Sequence, residues 1–286
     1  MSYKTRYALL FLAVPFLLFT LFRNLPIVIA FIVSLLDWDI TGKPVFVGFR
    51  HYIALLGDDN FRRAFLNTVY YVAGTVPLSI VLGLLFAALI EARFIRGKAF
   101  FRTVYFLPVV CSMVAIATVW SWIYNPMFGL LNQLTARIGL GRHNWVADPY
   151  LALPCIMAMS VWKTIGYNMI IYIAGLKAIP STYYEAASID GASKTRSFLA
   201  ITIPLLRPVT LFLVIMGVIN SFQVFDQVFI LSQGQLQDST NVLVFYLYHK
   251  GFNELSLGYA SAIGYYIFLV ILGITLVQFW LNRRHE

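Results

Sequence analysis

Six apolar runs, near residues 8–36, 67–90, 104–124, 151–176, 209–231 and 259–281, account for most of this chain. Each is long enough to cross a hydrocarbon core of about 30 Å as a helix rising about 1.5 Å per residue. Hydrocarbon offers the backbone no hydrogen-bond partners, so a spanning segment must satisfy its own N–H and C=O groups, as a helix does. Hydrophobic residues make up 60% of the chain and charged ones 12%, whereas about a quarter of a soluble domain is charged. The expected fold class is therefore all-α, an integral membrane bundle of six transmembrane helices. Its organisation reads as a first helix and outer loop (1–66), a body of five helices (67–281) and a short tail (282–286).

Lys4 and Arg6 precede the first run as they would in a signal peptide, but the run is too long and no small-residue cleavage site follows, so it reads as a retained span. Arg23 lies inside it. An arginine there either faces protein, water or a counter-ion, or snorkels to the outer interface. Cys111 and Cys155 both fall in apolar runs and read as small buried hydrophobes rather than a disulfide.

Six spans place both termini on one side. With loops 91–103 and 177–208 that side receives 12 of the 21 Lys and Arg and the far side 7, leaving Arg23 and Lys163 in the membrane. The positive-inside rule then makes the termini and the 177–208 loop cytoplasmic. The formal charge of +9 is thus a matter of membrane sidedness, and the partner it implies is membrane lipid, not nucleic acid.

One polar interruption carries a motif. Glu185-Ala186-Ala187-Ser188-Ile189-Asp190-Gly191-Ala192 is closed by Ile201-Thr202-Ile203-Pro204 and Pro208. Thr182 and Glu185 have capping-box spacing, which predicts a short helix beginning there. Gly191 allows the positive φ that ends a helix, and a second helical stretch from about Ser193 is expected to run until Pro204 breaks it. The expectation is a cytoplasmic helix-turn-helix.

This stretch resembles the cytoplasmic loop of binding-protein-dependent ABC importer permeases, whose pattern is Glu-Ala-Ala, a glycine, then Ile-x-Leu-Pro. Glu185, Ala186, Ala187, Asp190, Gly191, Ala192, Phe198, Ile201, Pro204 and Pro208 match its sugar-importer version, and Ile203 replaces a leucine. The segment Phe46–Tyr52, with Asn67-Thr68, Phe101-Arg102, Leu107-Pro108, Trp120, Gly129, Asn132 and Gly175-Leu176, resembles the first permease of the maltose and glycerol-3-phosphate type. The resemblance implies that residues 181–204 are a coupling helix docked on a separate ATPase, with Glu185, Ala186, Ala187, Asp190, Gly191, Ala192 and Pro204 as its coupling residues. It also implies a second homologous permease, an ATP-binding cassette ATPase dimer, an extracytoplasmic solute-binding protein, and a place in the plasma membrane.

The chain lacks a phosphate-binding loop, since Gly97-Lys98 is followed by Ala99 and Gly42-Lys43 by Pro44. No spacing suggests a metal or catalytic site; His51 reads as a solvated loop histidine. ATP and magnesium are therefore expected on the partner ATPase, with no cofactor in this chain. Polar residues cluster in the later runs. Asn220, Gln223 and Gln227 repeat at three and four along one expected helical face with Asp226 beside them and Phe222, Phe225 and Phe229 interleaved, and the fourth run adds Trp162, Lys163, Tyr167 and Asn168. Amides and a carboxylate beside rings suit a sugar, whose hydroxyls donate and accept and whose apolar face packs on aromatics. The alternative is that the amides join helices while Lys163 and Asp226 balance each other's charge. Gly258, Ala260, Ala262 and Gly264 allow close helix packing. The function read here is an importer permease for a sugar or related polyol. Its rivals are an importer for a phosphodiester, polyamine or iron, and an ion-coupled secondary transporter.

Overall fold

A computed structural model describes residues 3–39, 42–92, 95–234 and 238–283, so part of the carboxyl tail, with Arg284, lies outside the described residues. The helices run in order Tyr3–Phe19 (α1), Leu25–Ser34 (α2), Arg50–Leu56 (α3), Asp59–Glu91 (α4), Lys98–Val110 (α5), Met113–Ile123 (α6), Leu130–Arg137 (α7) and Ala152–Ala178 (α8). They continue as Thr182–Ile189 (α9), Lys194–Ser197 (α10), Ile203–Leu205 (α11), Arg207–Phe222 (α12), Asp226–Leu231 (α13), Leu243–Tyr248 (α14) and Leu257–Arg283 (α15). A two-stranded antiparallel ribbon, Leu36–Asp37 (β1) with Val45–Phe46 (β2), pairs Leu36 with Phe46 and Asp37 with Val45.

The helices depart from six uninterrupted spans. The path Phe11–Ser34, helix α4 and residues Leu257–Leu281 are each long and apolar enough to cross a membrane. Two more crossings result only if a bent pair counts as one span: α5 with α6, bent by 98°, and Lys194–Leu205 with α12, bent by 62°. The expected third run is thus broken at Cys111-Ser112, and the fifth stops at Phe222 and restarts at Asp226. Helix α8 has 27 residues, about 40 Å at 1.5 Å per residue, but with Ser160, Lys163, Thr164, Tyr167 and Asn168 in its middle it is not among the stretches apolar enough to cross by composition.

The chain divides into two compact units. One comprises Met1–Arg62 and Tyr246–Val270. Here α1 passes into α2 through a π-turn, Thr20–Asn24, in which the Leu25 N–H reaches back five residues to Thr20 O. The turn holds Arg23, which is exposed, and Pro26 follows it within the first turn of α2. A proline lacks the N–H that the preceding turn would use, and its ring strikes the carbonyl four residues back; a widened turn relieves that clash.

Two polar groups fix this unit. His51 is buried, with Nε2 3.1 Å from Leu36 O and its ring edge-on to Tyr259 at 5.8 Å. It is a packed hydrogen-bonding residue and not a solvated one, because Gly258 brings α15 against Leu36 where a Cβ would lie 1.9 Å from that carbonyl. Asp58 caps α4: Oδ1 accepts from Asn60 N at 2.9 Å and Phe61 N at 3.2 Å. Its other oxygen accepts the Tyr246 and Tyr259 hydroxyls, each at 2.6 Å.

The second unit, Arg63–Phe245 with Ile271–Glu286, is centred on α8. Tyr172 and Met169 are fully buried there, and Tyr172 Oη donates to Thr210 Oγ1 on α12 at 3.0 Å. Helix α5 lies directly on α8: a Cβ at Gly166 would stand 2.0 Å from Tyr105 O, so only glycine permits that approach. The 125–150 segment is organised by buried Asn132, which donates to Pro126 O and His143 O and accepts from His143 N and the Trp145 indole, at 2.8–3.0 Å.

Candidate functional site

Within the second unit, α4, α8, α12 and α13 wall a cavity of about 390 Å³. Helix α4 presents Tyr71, Thr75 and Ser79 to it, four residues apart and so stacked on one face. Helix α8 adds Ser160, Tyr167 and Asn168, and α12 and α13 add Asn220, Ser221 and Gln227. Asn168 is seated by a close contact between helices, for a Cβ at Gly83 of α4 would lie 2.5 Å from the Asn168 Cβ.

The three amides differ in what they have left to offer. Gln227 is buried; its Nε2 donates to Tyr71 Oη at 3.0 Å and reaches Ser160 Oγ at 3.4 Å. It therefore ties α13 to α4 and α8, as helix-joining amides do in membrane bundles. The side-chain amides of Asn168 and Asn220 have no hydrogen-bond partner among the described residues, although both line the cavity. Asn168 is buried, and a polar group without a partner there is costly unless water or a solute supplies one, whereas Asn220 is exposed at the cavity wall.

Trp162, Gln223 and Asp226 do not line this cavity. The expected face from 220 to 227 assumed one continuous helix, but Phe225 sits at φ −144° and ψ −64°, between the end of α12 and the start of α13. Spacing of three and four defines a face only within a helix, so Gln223 and Asp226 turn away and are exposed. Trp162 instead packs on Trp120 of α6, ring centroids 5.6 Å apart. Tyr71, Thr75 and Ser79 were missed although their spacing of four was readable; the residues are moderately polar and sit in a strongly apolar run.

Lys163 and Asp226 do not balance one another. The Lys163 Nζ donates to the carbonyls of Pro108, Val109 and Cys111 at 3.1–3.2 Å. Those carbonyls end α5, where the break at 111–112 leaves them without helical donors, and a cation there also meets the negative end of the helix dipole. Lys163 thus caps a neighbouring helix. Both cysteines are free, as expected, but Cys111 stands exposed at the break while Cys155 is buried.

The 181–204 loop forms two short helices joined by a tight turn. Helix α9 ends in a Schellman motif: Gly191 takes φ +74°, its N–H reaches Ser188 O at 3.1 Å, and the Ala192 N–H reaches Ala187 O at 2.9 Å. The capping box at the other end does not form. Ser181, not Thr182, precedes the helix, so Thr182 and Glu185 stand at its first and fourth positions, and the Glu185 N–H bonds the Ser181 backbone carbonyl at 3.0 Å. Ser193 does cap, its hydroxyl accepting from Arg196 N at 3.2 Å.

Pro204 does not break the second stretch. The π-turn Phe198–Thr202 sends the Ile203 N–H to Phe198 O, Pro204 rides in α11, and the chain bends only at Leu206. Tyr184 Oη and Thr202 Oγ1, 2.8 Å apart, hold the two arms together. Helix α9 buries no residue, and Ile189 is 88% exposed.

A family model described as the binding-protein-dependent transport system inner membrane component matches residues 54–286. Among curated relatives, the probable ABC transporter permease protein YurN of Bacillus subtilis is 37% identical, covering 93% of this chain and 92% of its own. The lactose transport system permease protein LacF of Rhizobium radiobacter is 34% identical, covering 97% and 94%. Among solved structures, a chain of a bacterial ABC transporter involved in the import of the acidic polysaccharide alginate superposes with a TM-score of 0.85 at 25% identity, over 98% of this chain and 96% of that one.

Proposed function

We propose, from the premise that this chain belongs to the family of binding-protein-dependent transport system inner membrane components, that it is the permease subunit of an ATP-driven importer and forms part of the path of a sugar or related polyol. The observation that carries this reading is the cavity walled by the unpaired amides of Asn168 and Asn220 and the hydroxyls of Thr75, Ser79 and Tyr167. The amides and the Tyr167 hydroxyl can both donate to and accept from solute hydroxyls, while Thr75 and Ser79, whose protons go to the Tyr71 and Val76 carbonyls, can accept, and the cavity's volume falls within the range of small-molecule sites. Relatives named for lactose and for trehalose/maltose transport support the solute class.

In this reading the chain performs no chemistry. ATP and magnesium belong to a dimeric ATPase, a second homologous permease completes the pathway, and an extracytoplasmic binding protein delivers the solute. The Glu185–Ala192 turn docks on the ATPase with Pro204 holding the returning arm, and both termini share its cytoplasmic side. Closure of the ATPases displaces this loop and rocks the helices between two states of access. The Schellman turn and the Tyr184–Thr202 contact support this, because a loop transmits a push only if it keeps its shape.

The test is transport by purified, reconstituted complexes carrying Asn220→Ala or Asn168→Ser. Each lost contact is expected to weaken solute-dependent transport by about 1–3 kcal/mol, with basal ATP hydrolysis preserved. Undiminished transport by both variants would remove the solute from this cavity.

A further inference from the structure

A groove between α5 and α8, sharing no lining residue with the cavity described above, has the makings of a lipid site. It encloses about 340 Å³ and is lined by Arg102, Thr103, Phe106, Leu107 and Val110 of α5 and Ile170 of α8. Its two ends differ in chemistry. Arg102 and Thr103 form one end; Leu107 and Val110, one to two helical turns further on, form the other and are exposed hydrophobics.

The charge at the polar end is in excess. Glu91, the last residue of α4, accepts a hydrogen bond from Arg102 and lies 3.6 Å from Lys98, whose Nζ also donates to the Glu91 carbonyl at 2.9 Å. Lys177 acts on the same carboxylate through its charge. One carboxylate therefore faces three cations, and Arg96 stands exposed in the adjoining turn. Basic clusters at the end of a membrane helix attract anionic headgroups, and a guanidinium beside Glu91 still has N–H groups to offer a phosphate. Apolar walls leading from that cluster into the span match an acyl chain.

We propose that this groove binds an anionic phospholipid from the leaflet on the side of residues 91–103, its phosphate on Arg102 and Lys98 and one acyl chain along Leu107 and Val110. Charge complementarity selects this occupant: a zwitterionic lipid brings no net charge to the cations, and a protein segment would need an acidic end joined to an apolar stripe. The assignment depends neither on the solute nor on the direction of transport.

The experiment uses the whole transporter complex in phosphatidylcholine vesicles containing a minority of phosphatidylglycerol. Phosphatidylglycerol and phosphatidylcholine probes with photoactivatable acyl chains are compared at equal fractions by mass spectrometry of the α5 peptide. The phosphatidylglycerol probe is expected to label residues 102–110 several-fold more than its counterpart. Lys98→Gln and Arg102→Gln should each reduce that preference roughly fivefold, the equivalent of about 1 kcal/mol per basic side chain, and Arg102→Lys should restore most of it. Because Arg102→Gln also strips Glu91 of a partner, Val110→Trp supplies an independent arm: it fills the apolar end, leaves the ion pairs intact and should lower labelling in a normally assembled complex. Equal labelling by the two probes would reduce the groove to ordinary lipid contact. No labelling by either would mean that another subunit covers it. Either result overturns the proposal.

Discussion

Replacing Gly191 by a series of residues isolates the backbone's part in the coupling proposed for this loop. The residue holds φ +74°, and nothing lies within 4 Å of where a Cβ would stand, so side-chain size as such meets no obstacle. An L residue in this conformation costs about 1–2 kcal/mol, roughly a 5- to 30-fold shift against the turn, and asparagine tolerates it better than other residues. Proline locks φ near −65° and removes the N–H that reaches Ser188 O, a loss of about 3 kcal/mol or more. Uptake per assembled complex should therefore fall in the order Gly, Asn, Ala, Val, Pro, with ATP hydrolysis persisting as transport is lost. The assay is parallel measurement of solute uptake, ATP hydrolysis and membrane abundance in reconstituted complexes. Equal uptake by the alanine and glycine forms, or a proline form that transports normally at normal abundance, would refute the view that this turn must keep its shape.

Three further perturbations test other parts of the structure. Lys163→Met should lower the thermal stability of the complex, since three carbonyls lose a donor at about 0.6–2 kcal/mol each in a membrane; Asp226→Asn should neither mimic nor rescue it, the double variant being additive within about 0.5 kcal/mol. Burial pushes the Asp58 carboxyl up, but hydrogen bonds from Tyr246, Tyr259 and the Phe61 and Asn60 N–H groups outweigh it and hold the pKa below the ordinary 3.8. The stability this confers is full above that value and is lost as pH falls through the lower folded-state pKa, so acid unfolding should show a component that Asp58→Asn abolishes. For orientation, single cysteines at Ser193 and at exposed Ile138, in a background lacking Cys111 and Cys155, should react with an impermeant thiol reagent on intact cells only at Ile138; labelling confined to Ser193 would invert the proposed topology.

What the sequence made legible is the class of fold and the helix-ending turn at Gly191. Apolar run length is a direct consequence of bilayer thickness, and Gly191 ends α9 as expected because only glycine takes that φ without strain. The misses share a cause. A run of apolar residues reports immersion and says nothing about continuity, so it does not reveal the breaks at 111–112 and 223–225, and the second break removes Gln223 and the neighbouring Asp226 from the expected face while Asn220 and Gln227 still meet in one cavity. Asp226 offers itself as a partner for Lys163, within the alternative of helix-joining amides, because charge is visible in a sequence, whereas carbonyls orphaned by a helix break are not. His51 looked solvated because its partner, the Leu36 carbonyl, belongs to a backbone 15 residues away.

Of the three π-turns among the described residues, Thr20–Asn24, Phe198–Thr202 and His249–Asn253, the first two bear on how this chain tolerates change. Thr20–Asn24 and Phe198–Thr202 each stand two residues before a proline, Pro26 and Pro204, and each holds one residue more than an α-turn would. An α-helix advances about 100° per residue, so the extra residue resets the azimuth of everything downstream. Deleting any one residue from 198–202 would let the turn rewind as α-helix, return the proline ring to its clash and swing α12 about its axis relative to α9. Substitutions at the same positions leave the count intact. Length, more than identity, is therefore what these ten positions hold constant, and a single-codon deletion there should disable a chain that accepts most single replacements.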